Sequence, residues 1–191
     1  SVTLVEHNVR QRGRGDIGNV NFALGPLAAS FMLKRILTDT LKVAPRLAIS
    51  AVVRETSAIV EGVLQGIFDF AICSANTLKS EAGMDVISLA SFPMGMFVRP
   101  GHPLLSLNRD VEWNDLIPYP RITGRYPQHR RLDASLPFGP LDTTVECNDF
   151  EALRAITVET DAIWLTAMAM WRLSPARRPN SVRSQSLAAA W

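Results

Sequence analysis

Cysteine is almost missing from this chain: Cys73 and Cys147 are the only two, each inside an apolar or strand-like run. Neither has a neighbour at metal-ligand spacing, so no zinc or disulfide framework is expected, and both read as small buried hydrophobes. Excess charge of either sign is missing too. Twenty Lys and Arg face eighteen Asp and Glu, a formal net charge of +2, which leaves nothing to drive binding to a phosphate backbone. No run approaches the roughly 20 apolar residues of a membrane span. Ser1 to Arg14 is polar and basic without an apolar centre, so it does not read as a secretory signal, and a reducing, cytoplasmic setting is expected. Trp113, Trp164 and Trp171 are spaced for packing, and no basic residues interleave them as a nucleic-acid groove requires. His102 lies in Pro100-Gly101-His102-Pro103, whose work is to turn the chain. Arg130 and Arg131 read as a solvated surface.

What the chain does have is apolar sequence. The hydrophobic fraction of its 191 residues is 47%, and the mean hydropathy of +0.09 suits strands covered on both faces. Val2 to Arg12 reads as the last turns of a helix broken by Gly13 and Gly15. Ile17, Val20, Phe22 and Leu24 then form a short strand closed by Gly25-Pro26, with Pro26 where a first helical residue tolerates it. A helix over Leu27 to Val43 carries Phe31, Met32, Ile36, Leu37 and Leu41 at helical spacing and stops at Pro45. Leu47 to Val53 predicts a strand. Thr56 or Ser57 caps the next helix, which ends at Gly66, and Ile67 to Cys73 reads as a strand buried on both faces. The order β-α-β-α-β with short connections implies parallel strands and right-handed crossovers. Ligands of such sheets sit outside the carboxyl ends of the strands.

Val86 to Ala90 and Gly95 to Val98 are two more strands, and the turn-rich Arg99 to Pro103 marks the passage to a second lobe. There, Asp110 to Leu116 predicts a helical turn, with strands at Arg121 to Thr123 and Thr143 to Cys147. Asn148 caps a helix with Glu151 as the partner of a capping box, and Ala162 to Leu165 is a strand. The segment from Arg172 to Trp191 shows no clear period.

Several strings, in this order, resemble the effector-binding domain of LysR-type transcription regulators. They are Gly15 to Val20 with Leu24-Gly25; Val43-Ala44-Pro45-Arg46-Leu47; Ile59 to Cys73, with Gly62, Leu64, Gly66 and Phe68-Asp69-Phe70-Ala71-Ile72; Val98-Arg99-Pro100-Gly101-His102-Pro103-Leu104; Trp113 to Ile117 with Pro120; and Glu151 to Leu165. The resemblance covers about residues 1–171. It implies an α/β fold of two Rossmann-like lobes with a ligand cleft between them, the type II periplasmic-binding-protein fold. The divisions expected are 1–15 as the end of a linker helix, 16–98 as lobe I, 99–171 as lobe II and 172–191 unassigned.

The resemblance further implies a small, anionic effector, drawn to helix N-termini. Family position places Pro26, Leu27 and Ala28 at its first contact, although simple helix-start packing explains them equally, and the lack of a hydroxyl there suggests a ligand with an apolar part. Thr56 and Ser57 offer hydroxyls and amides to the ligand or cap their own helix. In the other lobe Thr123, Gly124 and Arg125 end a strand, with Arg125 either an anion partner or a solvated loop charge. Asn148 and Asp149 open a helix toward the same cleft. No catalytic residue, metal or cofactor is expected. A homodimer is, with DNA touched only through a separate N-terminal winged helix-turn-helix and no membrane involved. The alternatives are a periplasmic solute-binding protein of the same fold, against which the helical stub at Ser1 to Arg14 weighs, and an enzyme using a cysteine or histidine.

Overall fold

Phe22, Ala23 and Leu24 are consecutive and all buried, which happens only in a strand covered on both faces. This strand is an inner strand of the first of two compact units, Ser1–Ser91 and Phe92–Trp191, into which the chain divides in the computed structural model. The structure describes residues 2–7, 18–74, 84–125, 143–168, 170 and 180–181.

In the first unit β1 (Val2–His7), β2 (Asn19–Leu24), β3 (Ala48–Val53), β4 (Phe70–Ser74) and β5 (Met84–Ala90) form one sheet in the order β3-β2-β4-β1-β5. The strand β2 runs parallel to β3 and β4, while β1 is antiparallel to both β4 and β5. After β2, Gly25 is extended (φ −66°, ψ 151°) and Pro26 is the first helical residue, where its missing N–H costs nothing. The helical stretch has three parts: α1 (Pro26–Ala28), a π-helical segment Ala29–Leu33, and α2 (Lys34–Val43). Sequence periodicity predicts a uniform α-helix here. The widened turn accompanies a Ser30 hydroxyl that donates to the Leu27 carbonyl at 2.6 Å, the kind of local side-chain bond that competes with the helical ladder.

The helix α3 (Thr56–Leu64) ends in a Schellman turn, with the Gly66 amide on the Val63 carbonyl and the Ile67 amide on the Gly62 carbonyl. Gly66 has φ +71°, the left-handed geometry that this cap needs. Behind it Phe68 folds onto Gly62, where a Cβ would lie 2.4 Å from the ring. Phe68 thereby joins Ala23, Ile59, Val63, Ala71, Cys73 and Met84 in the core. This turn delays β4, which starts at Phe70 rather than Ile67.

The second unit is a sheet in the order β10-β6-β9-β7-β8, built from β6 (Met94–Val98), β7 (Arg121–Thr123), β8 (Val145–Glu146), β9 (Ile163–Ala167) and β10 (Asn180–Ser181). Here β7 is parallel to β8 and β9, and β6 is antiparallel to β9 and β10. On one face Met96, Val98, Leu104, Val111, Leu116, Ile163 and Leu165 form a core to which the short helix α4 (Trp113–Leu116) contributes. Elsewhere in the unit Trp164 meets Phe97 and Phe150, the first residue of α5 (Phe150–Glu159), at ring distances of 6.1 and 6.2 Å.

Three expectations are corrected. The helical stub does not form over Val2–His7, which is strand β1. Its few apolar positions fit either period, and two neighbouring strands supply backbone partners along its length. The division between units falls after Ser91 rather than Val98, because β6 finds its ladder on β9. Part of the unassigned tail, Asn180–Ser181, is the edge strand beside β6.

Candidate functional site

Parallel strands that end level with one another bring the segments following them together. In the first unit Leu24 pairs with Val53, and the Arg54 amide bonds the Leu24 carbonyl at 3.0 Å. The starts of α1 and α3 therefore share one edge of the sheet. Pro26 and Leu27 are half-buried there, and Ala28 turns into the core. Gly25 holds the first start down through its amide on the Ile72 carbonyl at 2.9 Å. At the second start the capping expected of Thr56 or Ser57 is corrected: Glu55 occupies the cap position, no side chain caps the helix, and Thr56 is its first residue. Thr56 is half-buried and Ser57 exposed.

In the second unit the same rule gathers Thr123, Gly124, Arg125, Asn148 and Asp149 at the ends of β7 and β8. Asn148 Oδ1 accepts from the Arg125 amide at 3.2 Å, and the Cys147 amide donates to the Thr123 carbonyl at 3.1 Å. The Thr123 hydroxyl is buried and donates to the Leu165 carbonyl at 3.0 Å, so it ties β7 to β9 before it does anything else. Gly124 is there for space, since a Cβ would lie 2.6 Å from the Phe150 ring. Arg125 is exposed. The cap of α5 is Asp149, not Asn148: one carboxylate oxygen accepts from the Glu151 and Ala152 amides, both at 3.0 Å. This cap is worth about 1 kcal/mol. The capping box expected there is instead at α4, between Glu112 and Asp115.

Cys147, expected as a small buried hydrophobe at the end of its strand, is instead half-buried, and its Sγ accepts from the Asp149 amide at 3.3 Å. Thr166 was hidden inside an apolar run, yet its hydroxyl is buried without a hydrogen-bond partner, as are the Thr3 hydroxyl and the Trp164 indole N–H.

Elsewhere, burial pushes the Cys73 thiol up to about 11, which keeps it protonated and unreactive at neutral pH. His102 is buried and its pKa lowered, chiefly by desolvation. Arg109 grips Asp115 with two bonds of 2.7 Å and holds its carboxyl at about 2. Among the described residues no three His, Cys, Asp or Glu side chains gather as a metal site requires, and no helix is long and apolar enough to cross a membrane. Trp171, Arg130, Arg131 and His129 lie outside the described residues.

Comparison with known proteins gives consistent results. The family described as the LysR substrate binding domain matches residues 13–184. A curated relative, the SDS degradation transcriptional activation protein of Pseudomonas sp. (strain ATCC 19151), is 24% identical over 153 residues, 76% of this chain and 48% of its own length. The chain thus spans about half of that relative. Among solved structures, the cofactor-binding domain of the Cbl transcriptional regulator superposes with a TM-score of 0.73 at 14% identity, covering 94% of this chain and 80% of that one. HinK, a LysR family transcriptional regulator from Pseudomonas aeruginosa, gives 0.62 at 16% identity over 90% and 61%. At such identities these two show a shared fold.

Proposed function

This chain belongs to the LysR substrate binding domain family, and from that premise we propose that it is the effector-sensing and oligomerisation part of a LysR-type transcription regulator working in the cytoplasm. The observation that carries this reading is the family match across residues 13–184. The alternative of a periplasmic solute-binding protein shares the fold but has no observation in its favour. The helical stub that weighed against it is replaced by strand over Val2–His7, so the family match now bears that argument alone.

The effector we propose is a small anionic metabolite, and each unit by itself offers a candidate set of contacts: Pro26, Leu27, Ala28, Thr56 and Ser57 at one sheet edge of the first, and Thr123, Gly124, Arg125, Asn148 and Asp149 at the strand ends of the second. Support comes from the ends of parallel strands, where α/β sheets take their ligands. The start of α3, which lacks a side-chain cap, leaves its first amides available to an anion. Asp149 acts chiefly through α5, because its carboxylate is engaged and would repel an anion. The ligand is bound and released without chemistry, in keeping with a buried, protonated Cys73 thiol and a His102 ring occupied by backbone. Its signal reaches DNA through a separate N-terminal winged helix-turn-helix of the full-length regulator.

A thermal-shift series over aromatic acids, sugar acids, amino acids and inorganic anions tests this reading. One class is expected to raise Tm with concentration, reaching about 2.7 kcal/mol of stabilisation at a hundred times its Kd. Arg125→Ala and Thr56→Val should each reduce the rise. A flat response to every class at millimolar concentration, or a rise indifferent to both substitutions, counts against it.

We propose also that the chain forms a homodimer through α2. That helix buries none of its residues, and Leu41 and Val43 are 57% and 79% exposed, which suits an apolar face awaiting a partner. Ile36→Asp within α2, or Leu33→Asp in the residue just before it, is expected to convert the dimer peak to monomer in sizing experiments; an unchanged dimer rejects this interface.

A further inference from the structure

We propose that His102 is an acid-sensitive latch in the second unit: its neutral ring ties the turn after β6 to the connection before β9, and protonation releases that turn. The ring is buried, and both nitrogens meet backbone groups. Nδ1 accepts from the Leu104 amide at 3.1 Å, so it must present a lone pair. The proton therefore resides on Nε2, which donates to the Asp161 carbonyl at 3.2 Å. A neutral imidazole satisfies both partners with one donor and one acceptor, and an imidazolium, with two donors, cannot.

Protonation at Nδ1 would set one N–H against another in a buried site. The Leu104 amide would lose its partner, and with it the cap that holds the Pro103–Ser106 turn. That turn carries Leu104 into the core beside Met96, Val98 and Leu165, so its release loosens packing as well as backbone. Three charged or titratable groups lie near the ring, and a fourth, Arg121, reaches the backbone of its neighbour Tyr119. Arg99, at the end of β6, is paired with Asp161, from the connection before β9, at 2.7 Å. Tyr119, before β7, lies with its ring centroid 4.5 Å from that of the imidazole, tilted by 58°. Arg121 aims its guanidinium at the Leu116 and Tyr119 carbonyls. Burial lowers the His102 pKa most; the hydrogen bond to Asp161 and its charge pull the other way, and Arg99 adds to the lowering.

The sign follows. A folded pKa below the ordinary value near 6.5 means that the unfolded chain binds more protons between the two values. The stability contributed by His102 is complete above pH 6.5 and is lost as pH falls through the folded value. Asp115, held at about 2 by Arg109, loses its contribution far lower, so the two effects separate.

The test is a pH titration of the whole 191-residue chain by NMR, with the His102 signal identified by its absence in His102→Asn. Asparagine at a cap position retains an acceptor for the Leu104 amide but does not titrate. The His102 ring should titrate below 6.5 with the Leu104 amide shifting in step, and Tm between pH 7 and 5 should fall more steeply in wild type than in His102→Asn. A ring that titrates at or above 6.5, a Leu104 amide that ignores the titration, or equal pH slopes in the two proteins overturns the proposal. Should His102→Asn not fold, the wild-type ring, assigned through the Leu104 amide, decides alone.

Discussion

Trp164→Ala is expected to destabilise the second unit by about 3–5 kcal/mol, the range for deleting a large aromatic from a packed core. The indole is 1% exposed and joins β9 to Phe97 of β6 and Phe150 of α5. Nothing beside it can refill the space without moving one of those rings. Trp164→Phe should cost less than half as much, because the indole N–H is buried without an acceptor and its removal relieves an uncompensated polar group. Denaturant unfolding followed by circular dichroism measures both. A loss under 1 kcal/mol for alanine would mean that the ring is not central to this core.

Phe22→Ala should remove a similar amount, about 3–5 kcal/mol, from the first unit. Phe22 is 2% exposed in the inner strand β2 and stacks on Phe70 of β4 at 4.9 Å and 10° between planes. That pair contributes about 0.5–1.5 kcal/mol beyond simple burial. The two substitutions share no partner, so their costs are expected to add within about 0.5 kcal/mol in the double variant. A large departure from additivity would show that the two cores are not separate.

These cores were largely legible in the sequence because they depend on local pattern. Phe22 to Leu24 and Phe70 to Cys73 are runs too apolar for a half-solvated strand, and the helix from Pro26 is announced by proline at its first position and closed by Pro45. The edges were not legible, since they are decided at long range. Nothing between Val2 and His7 reveals that this segment will pair with Phe70–Ser74 and Met84–Ala90, and six residues are too few to separate a helical period from an alternating one. The division between units was misplaced for the same reason: β6 is assigned by its ladder to β9, and only the turn after it is visible locally.

At the candidate site, sequence reading located the strand-to-helix junctions and misassigned the residues that cap them. Strand ends followed by helix starts were recognisable at Gly25-Pro26, Glu55-Thr56 and Asn148-Asp149, and the structure brings each unit's set to one sheet edge. Which residue caps which helix was off by one, since Asn148 and Asp149 are chemically equivalent as caps and only the backbone chooses. Thr166 was missed because an isolated polar residue within an apolar strand carries no periodic signal.

A receptor for a small molecule takes up its ligand saturably and returns it unchanged. Calorimetric titration with the compound that most raises Tm, followed by mass spectrometry of the recovered compound, tests both properties most directly. Saturation at one molecule per chain, weakened by Arg125→Ala, with the compound returned unchanged, is the result expected. Conversion of the compound, or heats that do not saturate and ignore the substitution, would contradict it.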